Sequence, residues 1–268
     1  MDANPTYRGI ALDAETALAL LEWQLELGAD EPVTDSALDR LVPAQAPVDI
    51  AAAPPPAEDD ILAQRVAQAE TLAAGAETLA DLAAVQEGFD GIELKRGARN
   101  FCFSDGDPWA RVLVLGEAPG DEEDRQGRPF VGRAGQLLDR MFAAIGLARD
   151  AVDAERSLYI INVLTWRPPG NRDPQPDEIA MTMPFLRRHI ELAAPELIVL
   201  MGNTPCQAAL GRRGILRMRG NWVQAFGRPA MPMTHPAYLL RNSGAKREAW
   251  ADLLSIAERL ALPVAETR

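Results

Sequence analysis

Hydrophobic positions change their spacing along this chain. Over 14–28 (AETALALLEWQLELG) Leu and Trp recur at helical intervals, which predicts an amphipathic helix that stops near Gly28. Pro and Ala dominate 43–60 and the run ends in acids, which predicts a linker. Helical spacing returns over 61–87, interrupted at Gly75. Farther on, short apolar runs alternate with longer amphipathic ones. RVLVLG (111–116), SLYIINVL (157–164), ELIVLMG (196–202) and the weaker RPAMPMTH (228–235) read as strands. The first is the continuous apolar run that a buried parallel strand carries. Helices are predicted over 134–147, 176–195, 204–211 and 244–261. Strand–helix alternation of this kind predicts a layered α/β fold with a mostly parallel sheet. The organisation expected is an acidic helical segment (1–42), a Pro/Ala-rich linker (43–60) and an α/β domain (61–268).

Composition adds exclusions. The 268 residues are 47% hydrophobic and 25% charged, as in ordinary globular chains. No apolar run approaches the ~20 residues of a membrane helix, and no basic stretch precedes an apolar one at the N-terminus. Two cysteines, Cys102 and Cys206, exclude a disulfide framework and cannot alone supply four thiolates to a metal site. A cytoplasmic protein without membrane contact is expected.

The net charge of −12 argues against a polyanionic partner, but its distribution reverses the argument. Residues 1–90 carry −15 and residues 91–268 carry +3. Between Leu197 and Arg247 there is no acid and there are eight bases, among them Arg217, Arg219 and Arg241. A local positive face is what a polyanion requires. Arg placed on a solvated surface gives the same pattern, so both readings stand at this level. The acidic N-terminal segment reads as an interaction arm or a packed helix rather than a catalytic part.

In open α/β sheets chemistry gathers at the carboxyl ends of the strands. Three predicted strand ends carry Glu117, Asn162 and His235. The first opens GEAPGDEEDRQGRPFVGRAG (116–135), read as a long loop. It is a poor phosphate cradle, having neither GKS/GKT nor GxGxxG. Its length, acidic cluster and Phe130 still suggest function. Asn162 lies where a strand should be buried, so its amide must find partners, structural or functional. His235 is open to the same two readings, whereas His189, inside a helix, reads as structural.

Taken together the strings GEAPG…EDRQGRPFVG, N-V-x-x-x-RPPGNR and HPA-x-LLR resemble the family 4 uracil-DNA glycosylases, over roughly residues 88–260 and in the same order. The resemblance implies a three-layer α/β/α fold with a central, mostly parallel four-stranded sheet. It implies that Glu117 positions or activates water, that Phe130 stacks on extruded uracil and that Asn162 reads the uracil edge. It implies that His235 stabilises charge on the leaving base and that Glu123 is a further pocket carboxylate. The partner implied is uracil-containing DNA, in base-excision repair, with the chain acting as a monomer. Arg217, Arg219 and Arg241 are then expected on phosphates, and Leu239 and Leu240 in the gap left by the extruded base.

The chain also departs from that family. Its members hold a four-iron cluster on four cysteines, whose positions here are Phe89, Ile92, Trp166 and Thr182. No cofactor and no metal are therefore expected, and Phe89, Ile92 and Trp166 are expected to close the gap as one buried apolar cluster. A related branch carries a reactive His in a KRRIH insert; LTWRPPGNRDPQ after Asn162 has none, so covalent capture of DNA is not expected. Alternatives are a glycosylase for another deaminated base, and a non-catalytic DNA-binding relative in a repair or replication complex.

Overall fold

The computed structural model describes residues 6–7, 10–11, 13–27 and 58–262. The chain divides into two units, Met1–Pro55 and Pro56–Arg268. In the first, strands β1 (Thr6–Tyr7) and β2 (Ile10–Ala11) pair antiparallel and precede helix α1 (Ala14–Glu26). Asp13 caps α1, its carboxylate accepting from the Thr16 amide at 2.7 Å. The acidic stretch 28–42 and positions 43–57 of the expected linker lie outside the described residues. The second unit opens with α2 (Glu58–Gly75), whose first three residues fall within the stretch read as linker. No helix among the described residues is long and apolar enough to cross a membrane.

The second unit is α/β. Its sheet has six strands in the order β3–β5–β4–β6–β8–β7, where β3 is Asp105–Gly106, β4 Val112–Gly116, β5 Leu158–Asn162, β6 Leu197–Met201, β7 Val223–Ala225 and β8 Arg228–Met233. Strands β5, β4, β6 and β8 run parallel and are the four expected from the apolar runs. The four-strand count is corrected by two antiparallel edges, β3 on β5 and β7 on β8. Two or three residues are too short to show periodicity, so neither edge was legible. Strands β7 and β8 form a hairpin through Phe226 (φ 52°) and Gly227 (φ 72°), both left-handed as a primed two-residue turn requires.

The parallel strands are buried at every position, which explains their unbroken apolar runs. Side chains alternate between faces. Val112 and Val114 join a core with Leu138 and Phe142 of α5 (Arg133–Ala143), Leu239 of α9 (Pro236–Arg241) and Ile256 of α10 (Lys246–Arg259). Leu113 and Leu115 join one with Leu186 and Ile190 of α6 (Pro176–Ala193) and Cys206 of α7 (Asn203–Leu210). The result is helix, sheet, helix. A third cluster lies among α2, α3 (Leu79–Gly88) and α6.

The loop expected over 116–135 is corrected in part. Residues Asp121–Gln126 form the short helix α4, with four acids in the first turn facing the positive end of the helix dipole. Gly127 ends it at φ 69°. His189 is structural as expected. Its Nε2 lies 2.7 Å from the Tyr159 hydroxyl and its ring stacks 4.3 Å from Phe103. Burial pushes its pKa down to about 3, so the ring is neutral.

Candidate active site

Parallel register brings the candidate side chains to one end of the sheet. Gly116, the last residue of β4, pairs with Asn162, the last of β5, so Glu117 and Asn162 emerge at the same level. β8 ends beside β6, and His235 follows it as the cap of α9. Glu117, Glu123, Phe130, Asn162, His235 and Arg241 all line one cavity of about 680 Å³. That is the topological position the sheet rule selects.

Phe130 is held there under strain. Its backbone sits at φ 54°, a region disfavoured for any residue with a Cβ. Arg149 donates from Nη2 to the Phe130 carbonyl at 2.8 Å and from Nη1 to the Pro129 carbonyl at 3.1 Å. Glu123 Oε1 accepts from the Val131 and Gly132 amides at 3.0 and 2.9 Å, and its Oε2 from Gly120 at 3.1 Å. Helix α5 approaches so closely that a methyl on Gly135 would lie 1.7 Å from the Phe130 carbonyl oxygen. Gly116 is needed for the same kind of reason: a methyl there would lie 2.2 Å from Asn162 Oδ1 and 2.3 Å from the Phe130 ring. The strained aromatic and the amide thus meet over a bare backbone.

Asn162 is 4% exposed, and its Oδ1 is buried without a hydrogen-bond partner, as is the Thr234 hydroxyl. Buried polar atoms are rarely left so, because each costs about 1–3 kcal/mol. Both residues line the cavity.

His235 stacks on Phe130 at 5.4 Å. Burial pushes its pKa down to about 4, with Glu123 opposing and Arg241 adding to the fall. The ring is therefore neutral at pH 7. The Ala237 amide donates to its Nδ1 at 3.1 Å, which fixes the remaining ring hydrogen on Nε2. Nε2–H is thus a donor. Glu117 accepts from the Thr204 hydroxyl through Oε2 at 2.6 Å; among the described residues its Oε1 has no partner.

Glu123 lines the cavity, where its carboxylate accepts from three backbone amides and orders the loop that carries Phe130. Several other expectations are corrected. Arg219 is not at the cavity: its Nε donates to buried Asp252 at 3.0 Å and its Nη2 to the Glu248 carbonyl at 2.7 Å. Leu239 is 1% exposed in the core and cannot enter a base stack, whereas Leu240 is 40% exposed, outside the cavity lining. Arg217, in α8 (Ile215–Met218), is exposed and also off the lining. Sequence reasoning missed Arg213, Tyr238 and Thr234 on the lining, and Thr204 behind Glu117. Thr204 follows the third strand's carboxyl end, and the strand-end rule would have found it there.

Phe89, Ile92 and Trp166 are 2%, 3% and 6% exposed and share one apolar cluster with Leu82 and Phe185. Phe89 packs 5.4 Å from Phe185, and Trp166 5.0 Å from Phe101. Thr182 donates to the Glu178 carbonyl one turn back. These four side chains do not fit a four-thiolate cluster. Cys102 and Cys206 are buried elsewhere, and burial pushes both thiols up to about 12, away from the ligating thiolate. Among the described residues no group of three or more His, Cys, Asp or Glu is placed to hold a metal ion.

The family model described as the uracil DNA glycosylase superfamily matches residues 103–254, more than half of the chain. A type-4 uracil-DNA glycosylase of Thermotoga maritima is 41% identical over 146 residues, covering 53% of this chain and 73% of that one. Type-4 uracil-DNA glycosylases of Sulfurisphaera tokodaii and Archaeoglobus fulgidus are 37% and 36% identical, over 59% and 62% of this chain and 74% and 85% of theirs.

Proposed function

The chain belongs to the uracil-DNA glycosylase superfamily, and from that membership we propose that it hydrolyses the N-glycosidic bond of deoxyuridine in DNA. The reaction converts uracil-DNA and water into an abasic site and free uracil, the first step of base-excision repair. The scissile C1′–N1 bond lies inside the base stack, so the nucleotide is extruded into the cavity. Uracil stacks on Phe130, an interaction worth about 1–3 kcal/mol. The Asn162 amide accepts from N3–H and donates to O4; cytosine offers the opposite pattern and is refused. As the bond breaks, its electron pair passes to the base and positive charge develops on the sugar. His235 Nε2–H donates to uracil O2, where a neutral donor stabilises the anion without transferring a proton. The Glu117 carboxylate offsets the cationic sugar and orients the water that attacks C1′, whose proton leaves to solvent. Arg213 and Arg241 at the cavity rim meet backbone phosphates.

The observation that carries this reading is the buried, unpartnered Asn162 Oδ1 beside Phe130. A binding amide needs that open valence, while a structural one would have satisfied it. The α/β unit 61–268 is the catalytic domain in this reading, monomeric and cytoplasmic, and the acidic segment 1–42 is an arm for a protein partner. The test is strand cleavage of a uracil oligonucleotide after alkali. Asn162→Ala loses two hydrogen bonds in a buried site, about 2–4 kcal/mol, so cleavage falls roughly 10²-fold. Asn162→Asp also falls. Wild-type rates in Asn162→Ala would overturn the reading.

A further inference from the structure

Glu117 follows the last residue of β4. Among the described residues no Lys, Arg or His forms an ion pair with it, and its carboxylate has one hydrogen bond, from Thr204. Thr204 lies on a different strand connection. β6 ends at Met201, and Gly202 turns the chain at φ 102°, where a methyl would lie 3.4 Å from the His235 Cβ. Helix α7 then starts at Asn203, so Thr204 sits in its first turn, 1% exposed. In the first turn no helical carbonyl lies one turn back to take the hydroxyl proton. Here that proton goes to Glu117 Oε2, at 2.6 Å, 87 residues away in sequence. A β-branched side chain has few rotamers, so the hydroxyl is aimed by the backbone.

We propose that Thr204 is the positioning residue for Glu117: its buried hydroxyl pins one carboxylate oxygen and leaves the other, Oε1, directed to the sugar and the attacking water. The inference rests on the glycosylase reading. A Glu side chain has three torsions, and fixing one oxygen removes much of that freedom before substrate arrives. Thr204 touches no substrate, so its effect falls on kcat and not on DNA binding.

The test compares Thr204→Val, which keeps the shape and removes the donor, with Thr204→Ser, which restores it. In single-turnover cleavage of uracil-DNA, Thr204→Val should lower the rate about 10- to 100-fold with KM and DNA affinity within about 2-fold. Thr204→Ser should recover most of the loss. If Thr204 acts only through Glu117, adding Thr204→Val to Glu117→Gln should cost nothing further. A wild-type rate in Thr204→Val, equal losses in the Val and Ser variants, or a full additive loss in the double variant would each overturn the proposal. The contact is also read without activity. In protein labelled with ¹³C at Glu carboxyls, the Glu117 resonance, assigned by its loss in Glu117→Gln, should move in Thr204→Val and return in Thr204→Ser. An unmoved resonance refutes the positioning role even in an active enzyme. A wild-type protein that releases no uracil refutes the glycosylase reading, while the resonance still decides the contact.

Discussion

Truncating Trp166 tests how the segment before β4 is held. The indole is 6% exposed and packs on Phe101 in the cluster that includes Phe89 and Ile92. Replacing a buried aromatic of this size with Ala costs about 3–5 kcal/mol. One feature of the site lowers that figure. The indole Nε1–H is buried without an acceptor, and removing such a donor returns about 1–3 kcal/mol. The net loss expected for Trp166→Ala is therefore about 2 kcal/mol, or roughly 4–8 °C in Tm for a domain of this length. Trp166→Phe removes the orphan donor and keeps most of the ring, so it should stay within about 1 kcal/mol of wild type. Urea unfolding followed by fluorescence and circular dichroism measures both variants. Chelator should leave every midpoint unchanged, since apolar packing makes the connection. Cleavage activity should fall in Trp166→Ala, because Trp166 lies four residues beyond Asn162 and Thr165 accepts from the Cys102 amide at 2.9 Å. A cost below about 1 kcal/mol for the Ala variant, or equal costs for Ala and Phe, would refute the reasoning.

Two further predictions concern charge. Burial holds His189 near pKa 3 and His235 near 4 in the folded protein, while the unfolded chain binds those protons near 6.5. Stability is then complete above about pH 6.5 and falls on acidification, through about pH 4 for His235 and on to about pH 3 for His189. The slope is about 1.4 kcal/mol per pH unit for each histidine inside its own window; denaturant midpoints that stay flat from pH 7 to 5 would contradict it. Arg241→Ala and Arg213→Ala should each reduce the salt slope of DNA binding by about one. Arg219→Ala should leave that slope alone and destabilise the fold by about 3–5 kcal/mol, because it strands buried Asp252. The reverse pattern, a changed slope with unchanged stability, would return Arg219 to the DNA face.

The four central strands were legible because parallel strands covered on both faces must be apolar at every position, and that pattern is local. Glu117, Asn162 and His235 were legible by the same logic, since a strand's carboxyl end is visible in sequence once the strand is. The clustering of Phe89, Ile92 and Trp166 was expected through the family resemblance, which puts cluster cysteines at their positions. Other features depended on neighbours far along the chain. The sequence shows Leu239 and Leu240 as equals; the amphipathic phase of α9 against α5 and the sheet buries one and exposes the other. Arg219 reads like any other base in a basic run until Asp252, 33 residues on, claims it. That Glu123, on the cavity lining, also accepts from three backbone amides depended on the loop folding back to present them. Composition and periodicity are properties of single segments, so the sequence alone determined the four central strands and the residues at their ends, but not the two short edges. Which partner each charged or apolar side chain took was decided by tertiary structure, because a hydrogen bond or ion pair is selected by distance in space and not by spacing in the chain.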